Sequence, residues 1–525
     1  MTRSKTTRQF SRACIVLLAL VPPGYGQELD LKAIFKEGLP SSPFITVVYR
    51  YADTMLERGR DTYGPQKSGL FLSALDRKTL SPLNIRPPAP TGIRETDRPG
   101  AKNEPLVGAN PQLDENFLRL LYFLSSLSSE IRYAQAANDE LNWFLKNTQS
   151  QDTGLLPWGE HLCWIVTTDS IASGLDKQMH EFSRPWMLWD KCFELAPHES
   201  KRFALGLWNN QITDHNTGAF DRHAGFAQAS SQEGMDFARH AGFYIRTWAE
   251  SYNYTKDETF LKAIDVLISR YERKRHHKTG LIELKSGPYF ARRSGLVVAN
   301  AAKTGGLREG GSPNAAPILS LSLAIDCDGA ARKMPQPLRS RLIAFAARED
   351  EIFCSLPHRL EDKNGFLTSL DLTTGKPQDS YTSLWDAKYG GFTTAAVAMM
   401  CVSRYENTGK VKYCDFIVSS ADIYKNSLPG DQVDAWPMTF GHAISLELAA
   451  FRITARDEYY KRAFELGKIA VERFFGDCPL PRASLKTDHY ESITGADTLA
   501  IALAELHLNI LHITAVRAPT NTIDR

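Results

Sequence analysis

The chain has 525 residues, of which 62 are Lys or Arg and 60 are Asp or Glu, for a formal charge of +2. A balance this close to neutral lacks the basic field that general nucleic-acid binding requires. Hydrophobic residues make up 43% and charged residues 23%, the composition of an ordinary soluble globular chain.

At the N-terminus Arg3, Lys5, Arg8 and Arg12 precede an apolar stretch from Cys14 to Val21, and Pro22-Pro23-Gly24-Tyr25-Gly26 follows. This layout reads as a secretory signal over residues 1–26, cleaved before Gln27. The apolar run is too short to anchor in a bilayer. The expectation is a secreted or periplasmic protein with no membrane span in the mature chain. The remaining cysteines are widely spaced and show no zinc pattern, so they read as buried thiols, with one or two disulfides compatible with the spacing.

A helix is predicted from about Ser42 to Gly59, ended by Arg60-Asp61-Thr62-Tyr63-Gly64-Pro65. Residues 76–111 hold seven prolines and form a long insert, either a linker or an ordered wall around a site. Helical periodicity resumes at Leu113, with Phe117, Leu120, Leu121, Leu124 and Leu127 on one face. Residues 154–184 are aromatic, Gly-rich and not periodic. Helical patterns follow over roughly 181–195, 198–212 and 231–252, then irregular stretches over 276–316 and 355–390. The last helix begins near Thr494-Gly495-Ala496-Asp497, and 513–525 is a polar tail.

A seam repeats along these elements: helix, short polar turn with an acid near the next helix start, helix, then an exit that contains Gly. It occurs at Asn253–Phe260, at Tyr405–Lys410 and at Thr454–Tyr460, with a weaker copy at Ala137–Leu141. The acid suits the positive end of the helix dipole, and Gly suits a left-handed C-terminal turn. Such a unit cannot bury its apolar face alone, so neighbours must stack. The pattern resembles the all-α (α/α) toroid, or six-hairpin barrel, of carbohydrate-active enzymes. The toroid would be the catalytic domain over 27–512, with its long loops on one face.

Three loop segments carry candidate chemistry. In Trp158-Gly159-Glu160-His161 an aromatic ring can stack on a sugar, and an imidazole can transfer a proton; the alternative for Trp158 and Trp164 is core packing. In Asp221-Arg222-His223 a guanidinium can bind a uronate carboxylate bidentately, with Asn209 just upstream. The third segment runs from Tyr381 to Tyr389 and includes Trp385 and Asp386; a Tyr here can act as acid or base, or simply anchor the loop. Arg292 adds positive charge. His180-Glu181, His240, His442 and Asp488-His489-Tyr490-Glu491 carry weaker signals. No metal site is read from the sequence; a divalent cation is compatible with these residues and required by none of them.

The segments Asp61–Gly64, Trp158–His161, His180–Glu181 and Asp221–His223 are similar to those of secreted bacterial proteins of the pectic-acid-lyase-like type. The resemblance implies a helical toroid acting on an acidic polysaccharide. The residues supply what β-elimination from a uronic acid needs: Arg222, helped by Asn209 or Glu160, to neutralise the carboxylate; His223 or His161 as base; Tyr381 or Tyr389 as acid. Trp158, Arg292, Trp385 and Asp386 complete the binding set. The alternative is a glycoside hydrolase of the same fold, with a carboxylate pair drawn from Glu160, Asp169, Asp214, Asp221 and Asp386. A sugar epimerase and a non-enzymatic binding scaffold are further readings.

Overall fold

The computed structural model describes residues 41–173, 182, 184–222, 225–228, 236–283, 285–286, 314–362, 365–513 and 516–520. The signal segment, His180-Glu181, His223 and Arg292 lie outside them. Within them the helices are α1 (Pro43–Thr54), α2 (Glu115–Ser128), α3 (Ile131–Thr148), α4 (Trp189–Leu195), α5 (Pro197–Gly206), α6 (Ala238–Thr255) and α7 (Glu258–Arg273). They continue with α8 (Pro317–Ala331), α9 (Leu338–Ser355), α10 (Thr394–Thr408), α11 (Val411–Tyr424), α12 (Pro437–Thr454), α13 (Asp457–Ala470) and α14 (Ala496–Ile510).

Local chemistry sets the helix ends. Ser42 caps α1 by accepting from the Ile45 N–H, with Pro43 in the first turn. Asp257 caps α7 through the Thr259 N–H at 3.0 Å, and Thr393 caps α10. Gly409 closes α10 in the left-handed conformation. The weak seam at Ala137–Leu141 is not a turn: it lies inside α3, because a run of Ala, Asn, Asp and Glu has nothing to break a helix. The turn falls earlier, at Ser129, which adopts φ +61°. The pair α8–α9, joined through Pro335 and Pro337, carries no acidic seam.

Two kinds of helix alternate. The stretch from Pro437 to Ala450 in α12 is buried all round, as are nearly all of α6 to Ser251 and α14 to Leu508. In α7 burial recurs at Phe260, Ala263, Ile264, Leu267, Ile268 and Tyr271, the stripe of a helix with one face in water. The first kind forms an inner ring and the second an outer one. Contacts run from α6 to α8, α8 to α10, α10 to α12 and α12 to α14, and α14 then packs on α2 and α1. The chain is an (α/α) toroid closed by its first and last helices, where His507 Nδ1 and Ser42 Oγ lie 2.9 Å apart.

Short turns lead from inner to outer helices. The long connections lead back from outer to inner, so they gather on the opposite face with the inner-helix N-termini. Short antiparallel strands tie these loops together. Ala74–Leu75 pairs with Tyr490–Glu491; Gly108–Ala109 pairs with Leu162–Ile165, which pairs in turn with Ser170–Ser173. The Pro-rich stretch is thus stitched at both ends into the loop face as an ordered wall. No helix among the described residues is long and apolar enough to cross a membrane. The seven cysteines from Cys163 to Cys478 are free thiols.

Candidate functional site

The loop after α3 is held where it reaches Glu160 and His161. Gly159 takes φ +84°, a turn that a side chain would strain. The Asn110 amide donates to the carbonyls of Gly159 and Leu162 at 2.9 and 3.1 Å, and the strand 162–165 then pairs with 108–109. The Glu160 and His161 side chains are 5% and 4% exposed.

Facing them is the Pro-rich wall. The Thr91 N–H donates to Asp434, and the Trp436 indole donates to the Thr91 carbonyl. The Arg94 guanidinium then bridges two carboxylates, with Nε 2.6 Å from Asp97 Oδ2 and Nη2 2.9 Å from Glu160 Oε1. Asp97, 1% exposed, lies with Oδ1 3.3 Å from His161 Nδ1. The third wall is the 381–391 loop. Its Tyr389 N–H donates to the Gly92 carbonyl at 2.9 Å, its hydroxyl donates to Glu160, and its ring lies under Arg94, 3.9 Å from centroid to guanidinium carbon. Three segments far apart in sequence therefore meet in one cluster of Arg94, Asp97, Glu160, His161 and Tyr389. Arg94 is its exposed member, at 54%.

Arg222 is half-buried and follows Asp221, whose backbone N–H donates to the Gln211 carbonyl at 2.9 Å. Its hairpin shares an aromatic cluster with the Glu160 loop: Trp158 stands 6.1 Å from Phe182, Phe182 6.2 Å from Tyr244, and Tyr244 5.0 Å from Phe220. Asn209 is exposed in the π-turn Leu207–Gln211.

Two aromatics offered as sugar platforms are packed in the protein instead. Trp158 is 1% exposed, surrounded by Phe144, Trp186, Trp189 and Phe203. Trp385 is 4% exposed between Tyr424 and Phe440, with its indole donating to Ser427. Burial of so much aromatic surface stabilises the loop bases. Asp386 is paired with Lys388. Tyr381 packs on the satellite cluster of Leu281, Leu367 and Leu370, with Arg359 5.5 Å from its ring.

Of the weaker candidates, Asp488 pairs with Arg77, while Glu491 and His489 pair with each other at 2.7 Å and with Arg98. Burial works to raise the Glu491 carboxyl, but hydrogen bonds from Arg98 and His489 outweigh it and hold it at about 2. Arg98 is fully buried and anchors the wall. Ligand atoms of Asp97, Glu160 and His161 lie within 4.8 Å of one another, close enough to share a cation. In this conformation the Arg94 guanidinium supplies the positive charge between the two carboxylates.

Arg94 and Asp97 were not legible as site residues. The one signal is the charge-rich run Arg94-Glu95-Thr96-Asp97-Arg98 inside a Pro-rich stretch.

Residues 100–284, well under half of the chain, match the family described as periplasmic pectate lyase. A pectate disaccharide-lyase of Dickeya dadantii (strain 3937) is 25% identical over 166 residues, 31% of this chain and 30% of that protein. The match therefore spans less than a third of the relative. Among solved structures, a D-mannose isomerase aligns with a TM-score of 0.47 and 9% identity over 93% of this chain and 100% of its own. Cellobiose 2-epimerase from Bacillus thermoamylovorans B4167 aligns at 0.46 and 9%, over 87% and 98%. The family match includes Glu160, His161 and Arg222 and excludes Arg94, Asp97 and Tyr389.

Proposed function

We propose that the chain is an exported polysaccharide lyase that cleaves a uronic-acid polymer by β-elimination, with pectate as the first substrate to test. The observation that supports this most is the single cluster in which His161, from the stretch similar to pectate lyases, lies beside Asp97, and Tyr389, from a distant loop, bonds Glu160, with Arg94 bridging the two carboxylates.

In this reading Arg222 receives the uronate carboxylate, and its charge makes the C5 proton more acidic. His161 takes that proton, and the electron pair forms the C4–C5 double bond. The C4–O bond breaks, and the Tyr389 hydroxyl protonates the departing oxygen. Before substrate arrives Glu160 holds the Tyr389 hydroxyl by accepting its hydrogen bond, and the hydroxyl must swing from Glu160 to the departing oxygen to deliver that proton.

The test is digestion of pectate, alginate, ulvan and glycosaminoglycans, followed by the short-wavelength ultraviolet absorbance of the unsaturated uronate. A rise supports elimination and identifies the polymer. New reducing ends without that absorbance would replace the lyase with the glycoside hydrolase.

A further inference from the structure

Thr91 lies on the wall just before Arg94. Its side chain is exposed, yet its backbone is held from both sides. Asp434 Oδ2 accepts its N–H at 3.0 Å, and the Trp436 indole donates to its carbonyl at 3.0 Å. The other Asp434 oxygen, Oδ1, accepts the Lys486 N–H at 2.8 Å, so one buried carboxylate ties the wall, the Lys486 loop and the approach to α12 together. A carboxylate suits this place because it only accepts; an amide of the same shape would turn its own donor toward one of the two N–H groups.

Trp436 is fully buried and immediately precedes α12, whose first residue is Pro437, so the start of the helix sets its direction. It belongs to a small apolar cluster with Ile93 of the wall, Ala387 of the 381–391 loop, and Leu113, Met438 and Ile493. A Cβ on Gly92 would lie 3.1 Å from the Trp436 ring, so the wall runs directly against it. From there the contacts lead into the site. The Gly92 carbonyl accepts the Tyr389 N–H at 2.9 Å, the Tyr389 hydroxyl donates to Glu160, and Arg94 stands over the Tyr389 ring.

We propose that Asp434 and Trp436 are positioning residues for this site: by holding Thr91 they fix the Gly92 carbonyl, and with it the placement of Tyr389 and Arg94 against Glu160. The proposal rests on the reading of the cluster as the place of cleavage and of Tyr389 as its acid. It gives a task to a segment that lies outside the stretch similar to pectate lyases.

The test compares the full-length wild type with Asp434→Asn, which keeps the shape and loses an acceptor, and Trp436→Phe, which keeps an aromatic ring and loses the donor. Amide hydrogen exchange at Tyr389 should quicken about 10-fold in both, the equivalent of one lost hydrogen bond, with α7 unchanged. On the polymer that the wild type cleaves, each variant should lower kcat about 10- to 100-fold with KM little changed. Tyr389→Phe removes the hydroxyl, so adding Asp434→Asn to it should cost a much smaller factor in kcat; a merely structural Asp434 would cost the same factor in either background. The proposal is overturned if Tyr389 exchanges at the wild-type rate in both variants, or if the kcat factors multiply in full. Should Asp434→Asn fail to fold, Trp436→Phe carries both measurements. If no uronate polymer is cleaved, the lyase reading fails, while exchange at Tyr389 still decides whether Asp434 and Trp436 hold it.

Discussion

Arg94 and Arg98 stand one helical turn's worth of sequence apart on the same wall, and each meets carboxylates close to a histidine. Arg98 is fully buried against Glu491 and His489, whereas Arg94 is half exposed over Tyr389 with Asp97 and Glu160. The chemistry is nearly the same and the solvent differs. A buried arginine whose partners are satisfied within the protein serves as an anchor, because moving it would strand a charge. An exposed one can change partners at little cost, which is what a ligand site requires.

Arg98→Ala should break this contrast most severely, destabilising the chain by about 3–5 kcal/mol because Glu491 is left buried without its cation; thermal or urea unfolding reads it. The anchor should also weaken in acid. The folded Glu491 carboxyl titrates at about 2, below the ordinary 4.5, so its stabilisation is complete above 4.5 and disappears as pH falls toward 2. Roughly 3 kcal/mol should be lost across that window, and Glu491→Gln should flatten that limb of the pH–stability curve.

Gly92→Ala should cost about 1–3 kcal/mol. Gly92 has φ +94°, and a Cβ there would sit 2.5 Å from the Ala387 carbonyl. By displacing the Gly92 carbonyl it should also loosen Tyr389, which fluorescence or activity would report. Arg94→Ala should cost folding less than Arg98→Ala, about 1–3 kcal/mol, because Arg94 itself is half exposed but its loss leaves the buried Asp97 and Glu160 carboxylates without their cation, and it should lower kcat/KM by up to about 10²-fold through misplacement of Glu160 and Tyr389. Unfolding as severe as that of Arg98→Ala would erase the distinction between the two arginines.

Much of the fold is legible in sequence because the inner helices are apolar on all sides, the outer ones on a stripe, and several turns carry a capping acid or a left-handed residue. The α3 seam misleads because Asn138, Asp139 and Glu140 look like a turn but are tolerated in a helix. The site is only half legible. Glu160, His161 and Tyr389 draw notice from their own loops, but their meeting depends on the 108–109/162–165 pairing and on the Tyr389 contact with Gly92, which no local pattern encodes. Trp158 and Trp385 show the converse: residue type suggests a ligand platform, and tertiary packing surrounds the ring with Phe and Trp neighbours.

Closing the ring with α1 against α14 has a consequence for synthesis. Among the described helices α1 is made first, and α14, which covers it, is made last. At about 10 residues per second the wait is on the order of 40 s. During that time Phe44, Val48 and Tyr51, all buried in the finished ring, lack the neighbours that α14 brings, so this face depends on temporary cover until α14 is made.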